Sequence, residues 1–389
     1  MNKLATIADL EPAKDELIAI RHHLHAHPEL SGEEEKTAAL VAEKLEAWGY
    51  EVFRNVGGHG VVGRLRVGDG NRSVAIRADM DALPITEETG LDYSSTVPGV
   101  MHACGHDGHT TMLLGAAQYL ARTRNFSGTL NLVFQPSEES AKSSGAVAMM
   151  KDGLFERFPC DAIFGLHNHP GAPAGTVLMR PGPLMAASDT VFIKIKGKGG
   201  HASRPHLCID PIVCASAIVM ALQTIVSRSI DSTQTAVVTV GTINGGTAAN
   251  VIAQEATMEL SVRSFSAEVR AKLKERIKTV VETQCACWGA EPTIEFDEGH
   301  PVVDNAPAET EFAKKAVEEM IGEGKVELCH LIPGSEDFSH YQERMPGCFI
   351  RLGNGENSAM LHNPAYDFND DSLTTGAAMW ARLAERYLS

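Results

Sequence analysis

The sequence predicts an α/β protein with a largely parallel sheet, interrupted by a smaller α+β module of ferredoxin-like type. Three observations carry this. Apolar runs at 73–76, 129–134 and 162–166 have the length of buried strands and are separated by helical patterns, the alternation that produces a parallel sheet. Past Pro181-Gly182-Pro183 the order changes to βαββαβ, the order of a ferredoxin-like module. From about Pro301 an α/β-type, histidine-bearing stretch resumes, so the module reads as an insertion: 1–184 and 300–389 form one domain and 185–299 the other.

Taken in order, a first helix runs from about Asp15 to His25 and stops before His27-Pro28, because the residue ahead of proline disfavours helix. A second starts at Ser31, where Ser31 and Glu34 have capping-box spacing and Ala38, Val41, Leu45 and Trp48 recur at helical intervals. Met112, Leu113, Ala116, Ala117 and Leu120 mark a third. In the inserted module Val191, Ile193 and Ile195 alternate as a half-buried strand, and an apolar helix spans 210–229. Strands follow at 236–242 and 256–262, then a helix with Val269, Leu273, Ile277 and Val280 on one face, and a strand at 293–296.

The 389 residues are 43% hydrophobic, enough for sizeable cores. A net charge of −16 with no basic run excludes a phosphate-binding footprint, so nucleic acid is not an expected partner. No stretch reads as a signal peptide or as the eighteen or so apolar residues of a membrane span, which places the chain in the cytoplasm. Eight scattered cysteines lack the dense spacing of a disulfide scaffold. Cys285 and Cys287 form a CxC pair at the end of a helical pattern with no nearby histidine, which reads as structural.

Candidate metal ligands lie just after three separate predicted strands: Asp79 and Asp81, Glu138 and Glu139, and His167. Open α/β sheets gather ligands outside the carboxyl ends of their strands, so residues far apart in sequence can converge there. Between them lies HACGHDGH at 102–109, where thiolate and imidazole suit a borderline-soft divalent ion and Gly105 lets the backbone bend. Taken singly, His22, His23, His25, His27, His102 and His109 read as surface or capping histidines, and Glu138-Glu139 as a solvated acidic turn. Together, adjacent glutamates suit a division of labour, one on metal and one acting as the base that activates water and then protonates a leaving nitrogen.

RADMDALP at 77–84, MHACGHDGHTTMLLGAA at 101–117, FQPSEE at 134–139, GLHNHP at 165–170, KGKGGHASRPH at 196–206, GGTAANVI at 245–252, RSFS at 263–266, EDFSHY at 336–341 and HNPAYDFND at 362–370 resemble the peptidase M20 amidohydrolases. DPI at 210–212 belongs to the same pattern. The similarity is strongest to the branch of hippurate hydrolase, bacterial N-acyl-amino-acid amidohydrolases and auxin-conjugate hydrolases, and it spans nearly the whole chain. It implies a metallopeptidase-like catalytic domain holding two divalent ions, zinc or manganese, on Cys104, His106, Glu139, His167 and His362. By the same resemblance Glu138 is the general base and Asp81 supports a ligand from behind. The inserted domain is the lid and dimerisation domain, His201 polarises the scissile carbonyl, and Asn250 and Arg263 hold the substrate's carbonyl or carboxylate.

In the wider family a metal-binding histidine stands where this chain has Asp79, so Cys104 with His106 marks the amidohydrolase branch. Ser137 replaces a common alanine, and Ala253 a common proline. The reaction implied is hydrolysis of a small N-acyl amino acid by a homodimer, with a tetramer also open. A dipeptidase or carboxypeptidase on the same scaffold and a catalytically silent binding protein are the alternatives. For Arg263 a surface ion pair is the rival role.

Overall fold

The computed structural model describes residues 3–140 and 143–389. The chain divides into two compact units. The first runs through Gly182 and takes in Asp304–His330 and Asp337–Ser389; the second comprises Pro183–Val303 and the short return Leu331–Glu336. That return is tied by Ala186 N, which donates to the carbonyls of Ile332 and Gly334.

The first unit is built on an eight-stranded sheet in the order Glu51–Val56, Gly60–Val67, Gly128–Gln135, Ser73–Asp79, Ala162–Pro170, Gly347–Gly355, Val177–Met179, Val326–Leu328. Its four central strands, Gly128–Gln135 to Gly347–Gly355, run parallel. They are buried along almost their whole length, which is why they appear in the sequence as continuous apolar runs. Helix His106–Thr123 packs on helix Leu373–Tyr387, and both are nearly all buried. The edge hairpin Glu51–Val56 and Gly60–Val67 has no clear sequence signature, because its pairing is broken by a bulge between Phe53 and Val56.

The second helix corrects the sequence reading. It spans Glu35–Ala47 and has no capping box at Ser31: the Ser31 hydroxyl donates to Asp81, and Glu34 turns inward. Its first turn is capped instead by Glu29, whose carboxylate accepts from Lys36 N and Thr37 N at 3.0 and 2.8 Å. His25, His102 and His109 are buried rather than surface residues.

The second unit holds a four-stranded antiparallel sheet in the order Ala236–Gly245, Glu255–Ser264, Ala187–Lys196, Glu291–Glu298. Helices Pro211–Ser229 and Ala267–Trp288 pack with it, capped by Asp210 and Ser266, whose side chains accept from the first-turn amides. Contrary to expectation, Pro211–Ser229 is long and apolar enough by composition to cross a membrane. One stripe of it, Cys214, Ala215, Ile218, Leu222 and Ile225, is buried in the unit's core. Cys285 joins that core with its Sγ 3.7 Å from Cys214, while Cys287 is exposed.

Candidate metal centre

The parallel strands deliver side chains to one end of the first unit's sheet. Asp79 is the last residue of its strand, and His167 lies inside its strand rather than after it. Glu138 and Glu139 follow strand Gly128–Gln135. Cys104 and His106 flank Gly105, the N-cap of helix His106–Thr123, whose φ of +93° suits glycine. A Cβ there would stand 2.6 Å from the Tyr366 hydroxyl and 2.8 Å from Asn168 Oδ1. His362 sits on a loop at φ +63°, its amide donating to Ala103 O. A non-glycine residue in that region marks a backbone held by its surroundings.

These residues meet. Cys104 Sγ lies 3.3 Å from His167 Nε2, and His362 Nε2 lies 3.0 Å from Glu139 Oε1. Donor atoms within 4.8 Å of one another define linked groups: Cys104, His106 and His167; Cys104, Glu139 and His362; His106, Glu138 and Glu139; Asp79, His106 and His109. Cys104, His106 and His167 are buried, the two glutamates half-buried, and His362 exposed.

Hydrogen bonds aim these donors. His106 Nδ1 faces Asp81 Oδ1 at 3.2 Å, which leaves Nε2 toward the group; that atom is buried and has no hydrogen-bond partner among the described residues. His167 Nδ1 donates to Asn168 O at 2.9 Å, so its Nε2 keeps a lone pair. Asp81 Oδ2 accepts both the Ser31 hydroxyl, at 2.6 Å, and the Glu139 amide, at 2.9 Å. One carboxylate thus orients an imidazole and a neighbouring turn.

The charges suit divalent cations. Burial would lower the His106 pKa, but Asp79, Asp81 and Glu139 raise it to about 10. Burial, then Glu139 and Glu138, pushes the Cys104 thiol well up. His167 is held neutral by burial, with Arg351 and His109 adding to the effect. Carboxylates favour the protonated form of His106, burial together with carboxylates that of Cys104, and divalent cations would displace those protons. The thiolate, imidazole and carboxylate set and the orphaned His106 Nε2 suit such ions.

Sequence reasoning passed over the layer behind. His109 Nδ1 lies 2.6 Å from Asp79 Oδ1, a carboxylate oxygen that only accepts, so Nδ1 carries the proton there; Nε2 meets Asn168, 3.1 Å from its backbone N and 2.9 Å from its Oδ1. Arg77 Nη1 holds the other Asp79 oxygen at 2.6 Å, and Arg351 donates to the same carbonyl that takes the His167 proton. Asp79, committed to Arg77 and His109, acts as an anchor at the position where a metal histidine stands in the wider family. The HxxH spacing of His106 and His109 at one helix end was the available signal for the latter.

The comparisons agree with this geometry. The model of peptidase family M20/M25/M40 matches residues 75–386. A hippurate hydrolase of Campylobacter jejuni is 43% identical over the full length of both chains. The chain belongs to the M20 peptidase family. A Bacillus subtilis N-acetyl-L-cysteine deacetylase is 38% identical over 98% of this chain and 90% of its own. The crystal structure of a dinuclear metal-binding M20 peptidase from Bacillus subtilis superposes with a TM-score of 0.86 at 36% identity, covering 97% of this chain and 99% of that one. This M20 chain is a metal-dependent amidohydrolase on the α/β fold of that family.

In the M20 protein's second unit, the structure brings two of the three remaining candidates together. His201 pairs with Val251 across a two-stranded ribbon, and Ala202 N donates to Asn250 O at 3.0 Å. Both His201 and Asn250 are exposed. His201 Nδ1 accepts from Ser203 N at 3.2 Å, which puts the ring proton on Nε2. Arg263, on strand Glu255–Ser264, is half-buried and donates to Val262 O. Asp189, whose charge acts on Arg263, is gripped at both oxygens by Arg270, and among the described residues Arg263 makes no ion pair.

Proposed function

We propose that this protein hydrolyses the amide bond of small N-acyl amino acids, with Glu138 as general base and Cys104, His106, Glu139, His167 and His362 as ligands of two divalent ions, zinc or manganese. The observation that carries the reading is the convergence of those five donors with a second carboxylate, Glu138, inside the same cluster. The relatives' substrates, hippurate and N-acetyl-L-cysteine, share an acyl group amide-linked to an amino acid. Divalent ions held by those five residues would supply Lewis acidity toward the carbonyl and a more acidic water, leaving proton transfer to the protein.

Glu138 takes the proton from the attacking water and returns it to the departing amine nitrogen. His201, protonated on Nε2, donates to the carbonyl oxygen as negative charge develops on it. Asn250 provides a further amide donor. Arg263 receives the substrate carboxylate; a half-buried guanidinium that makes no ion pair among the described residues is suited to an incoming anion.

Glu138→Gln is expected to keep the metal content of the wild type and to lose roughly two or more orders of magnitude in turnover. Retained turnover removes Glu138 from the role. Benzoylglycine compared with a dipeptide of similar size separates an acyl-amino-acid hydrolase from a dipeptidase or carboxypeptidase.

A homodimer is part of the proposal, with the second unit as its contact. The outer face of helix Pro211–Ser229 exposes Ile212, Val213 and Met220, the last 71% accessible. Ala236–Gly245 is an open sheet edge bearing exposed Val237 and Ile243. Sedimentation of wild type and Met220→Glu tests the dimer and shows whether a tetramer forms.

A further inference from the structure

The turn that presents Glu138 and Glu139 is bent against its own residue type. Ser137 has a φ of +55°, in the left-handed region that residues with a side chain rarely adopt. Beneath it lies Glu34, the residue ahead of helix Glu35–Ala47, with its side chain fully buried. Glu34 Oε1 accepts from Ser137 N at 2.8 Å, from the Ser137 hydroxyl at 3.4 Å and from Gly32 N at 2.9 Å. From the other side Gly145 N donates to Ser137 O at 3.0 Å.

This carboxylate is an expensive way to fill space. Among the described residues its buried Oε2 has no hydrogen-bond partner, and Glu34 pairs with no Lys, Arg or His. Burial raises its pKa, so the folded protein bears a cost that an apolar side chain would avoid. The cost has a local return: its accepting oxygen faces the one amide that must be held for Ser137 to stay at positive φ. The same segment steadies the next residues as well, since Ser31 donates to the Asp81 oxygen that accepts from Glu139 N.

We propose that Glu34 is a positioning residue for hydrolysis: by holding the Ser137 amide it fixes the left-handed turn and with it the aim of Glu138 and Glu139. The inference rests on the reading of Glu138 as base. A general base displaced by about 1 Å loses rate on the order of a hundredfold while substrate binding is spared.

The test measures kcat, KM and metal content for Glu34→Ala, Glu34→Gln and Glu34→Ala combined with Ser137→Gly, with benzoylglycine as probe. Glu34→Ala is expected to lose kcat by roughly thirty- to a hundredfold with KM changed less than about threefold. Glu34→Gln, which keeps an oxygen for Ser137 N, should return to within about fivefold of wild type. Ser137→Gly should restore at least about fivefold of the lost kcat, because glycine adopts positive φ unaided. Where the alanine variant does not fold, Glu34→Asp replaces it; the carboxylate withdrawn by one methylene should lower kcat about tenfold, again rescued by Ser137→Gly. A kcat within twofold of wild type in folded Glu34→Ala, or in Glu34→Asp where that replaces it, overturns the inference, as does a loss that neither glutamine nor the glycine rescues. Glu138→Gln run in parallel keeps the readings apart: turnover in that variant removes the base, whereas its loss beside fully active Glu34 variants removes only the role of Glu34.

Discussion

The two units hold their candidate functional residues in opposite ways. In the first, two imidazole donors are aimed by buried partners, Asp81 behind His106 and the Asn168 carbonyl behind His167, and Asp79 is fixed between Arg77 and His109 in the layer behind. In the second, His201 and Asn250 are exposed on a two-stranded ribbon, and the Arg263 guanidinium donates to the carbonyl of its neighbour Val262. Cations held in place need a rigid cage. Groups that grip a substrate have to let the product go, and fewer contacts suit them.

That contrast is tested most strongly by His201→Ala. If His201 donates to the developing oxyanion, kcat falls roughly a hundred- to a thousandfold while metal content stays at the wild-type level. Loss of metal in this variant would erase the distinction between the units. Next is Asp81→Asn, in the first unit, which should weaken metal affinity about ten- to a hundredfold, read by titration with a chelator. Unchanged affinity would make Asp81 a bystander.

A smaller effect is expected from Arg263→Ala: KM for an acyl amino acid rises about tenfold, and the difference vanishes for the corresponding amide lacking the carboxylate. Equal KM increases for both substrates would restore a structural role for the arginine.

The smallest effect is on stability against pH. His25, buried between Asp107 at 2.9 Å and Glu87 at 3.3 Å, would be lowered by burial alone, but its two acidic partners raise its pKa from 6.5 to about 9. Its contribution is therefore full below pH 6.5 and is lost as pH rises through about 9. Glu87 is lowered from 4.5 to about 2, burial being outweighed by His25, Thr89 and Ser95, so its share is present above pH 4.5 and lost on acidification toward 2. Melting temperatures between pH 5 and 10 should fall on the alkaline side, and His25→Gln should flatten that limb. An identical alkaline limb in the variant removes the pair as its cause.

The central strands and the inserted module's βαββαβ order were legible in the sequence because parallel strands are written as continuous apolar runs and half-buried ones as alternation. Candidate ligands could be named because thiol, imidazole and carboxylate sit beside strand ends. What lies behind them was not legible. Ser31 and Glu34 have the spacing of a helix cap, yet both side chains point toward the 81 and 137 turns, a choice made by tertiary partners more than 45 residues away. His25 and His109 looked like surface residues because the carboxylates that bury them, Asp107 and Asp79, are partners in space with no recurring interval.

One contact of the cluster spans more than half the chain: Glu139 and His362 meet at 3.0 Å although 223 positions separate them. Cys104 and His167 meet at 3.3 Å across 63 positions. No local stretch brings such side chains together by itself, so their convergence belongs to the finished tertiary fold and is lost whenever either segment comes away from it.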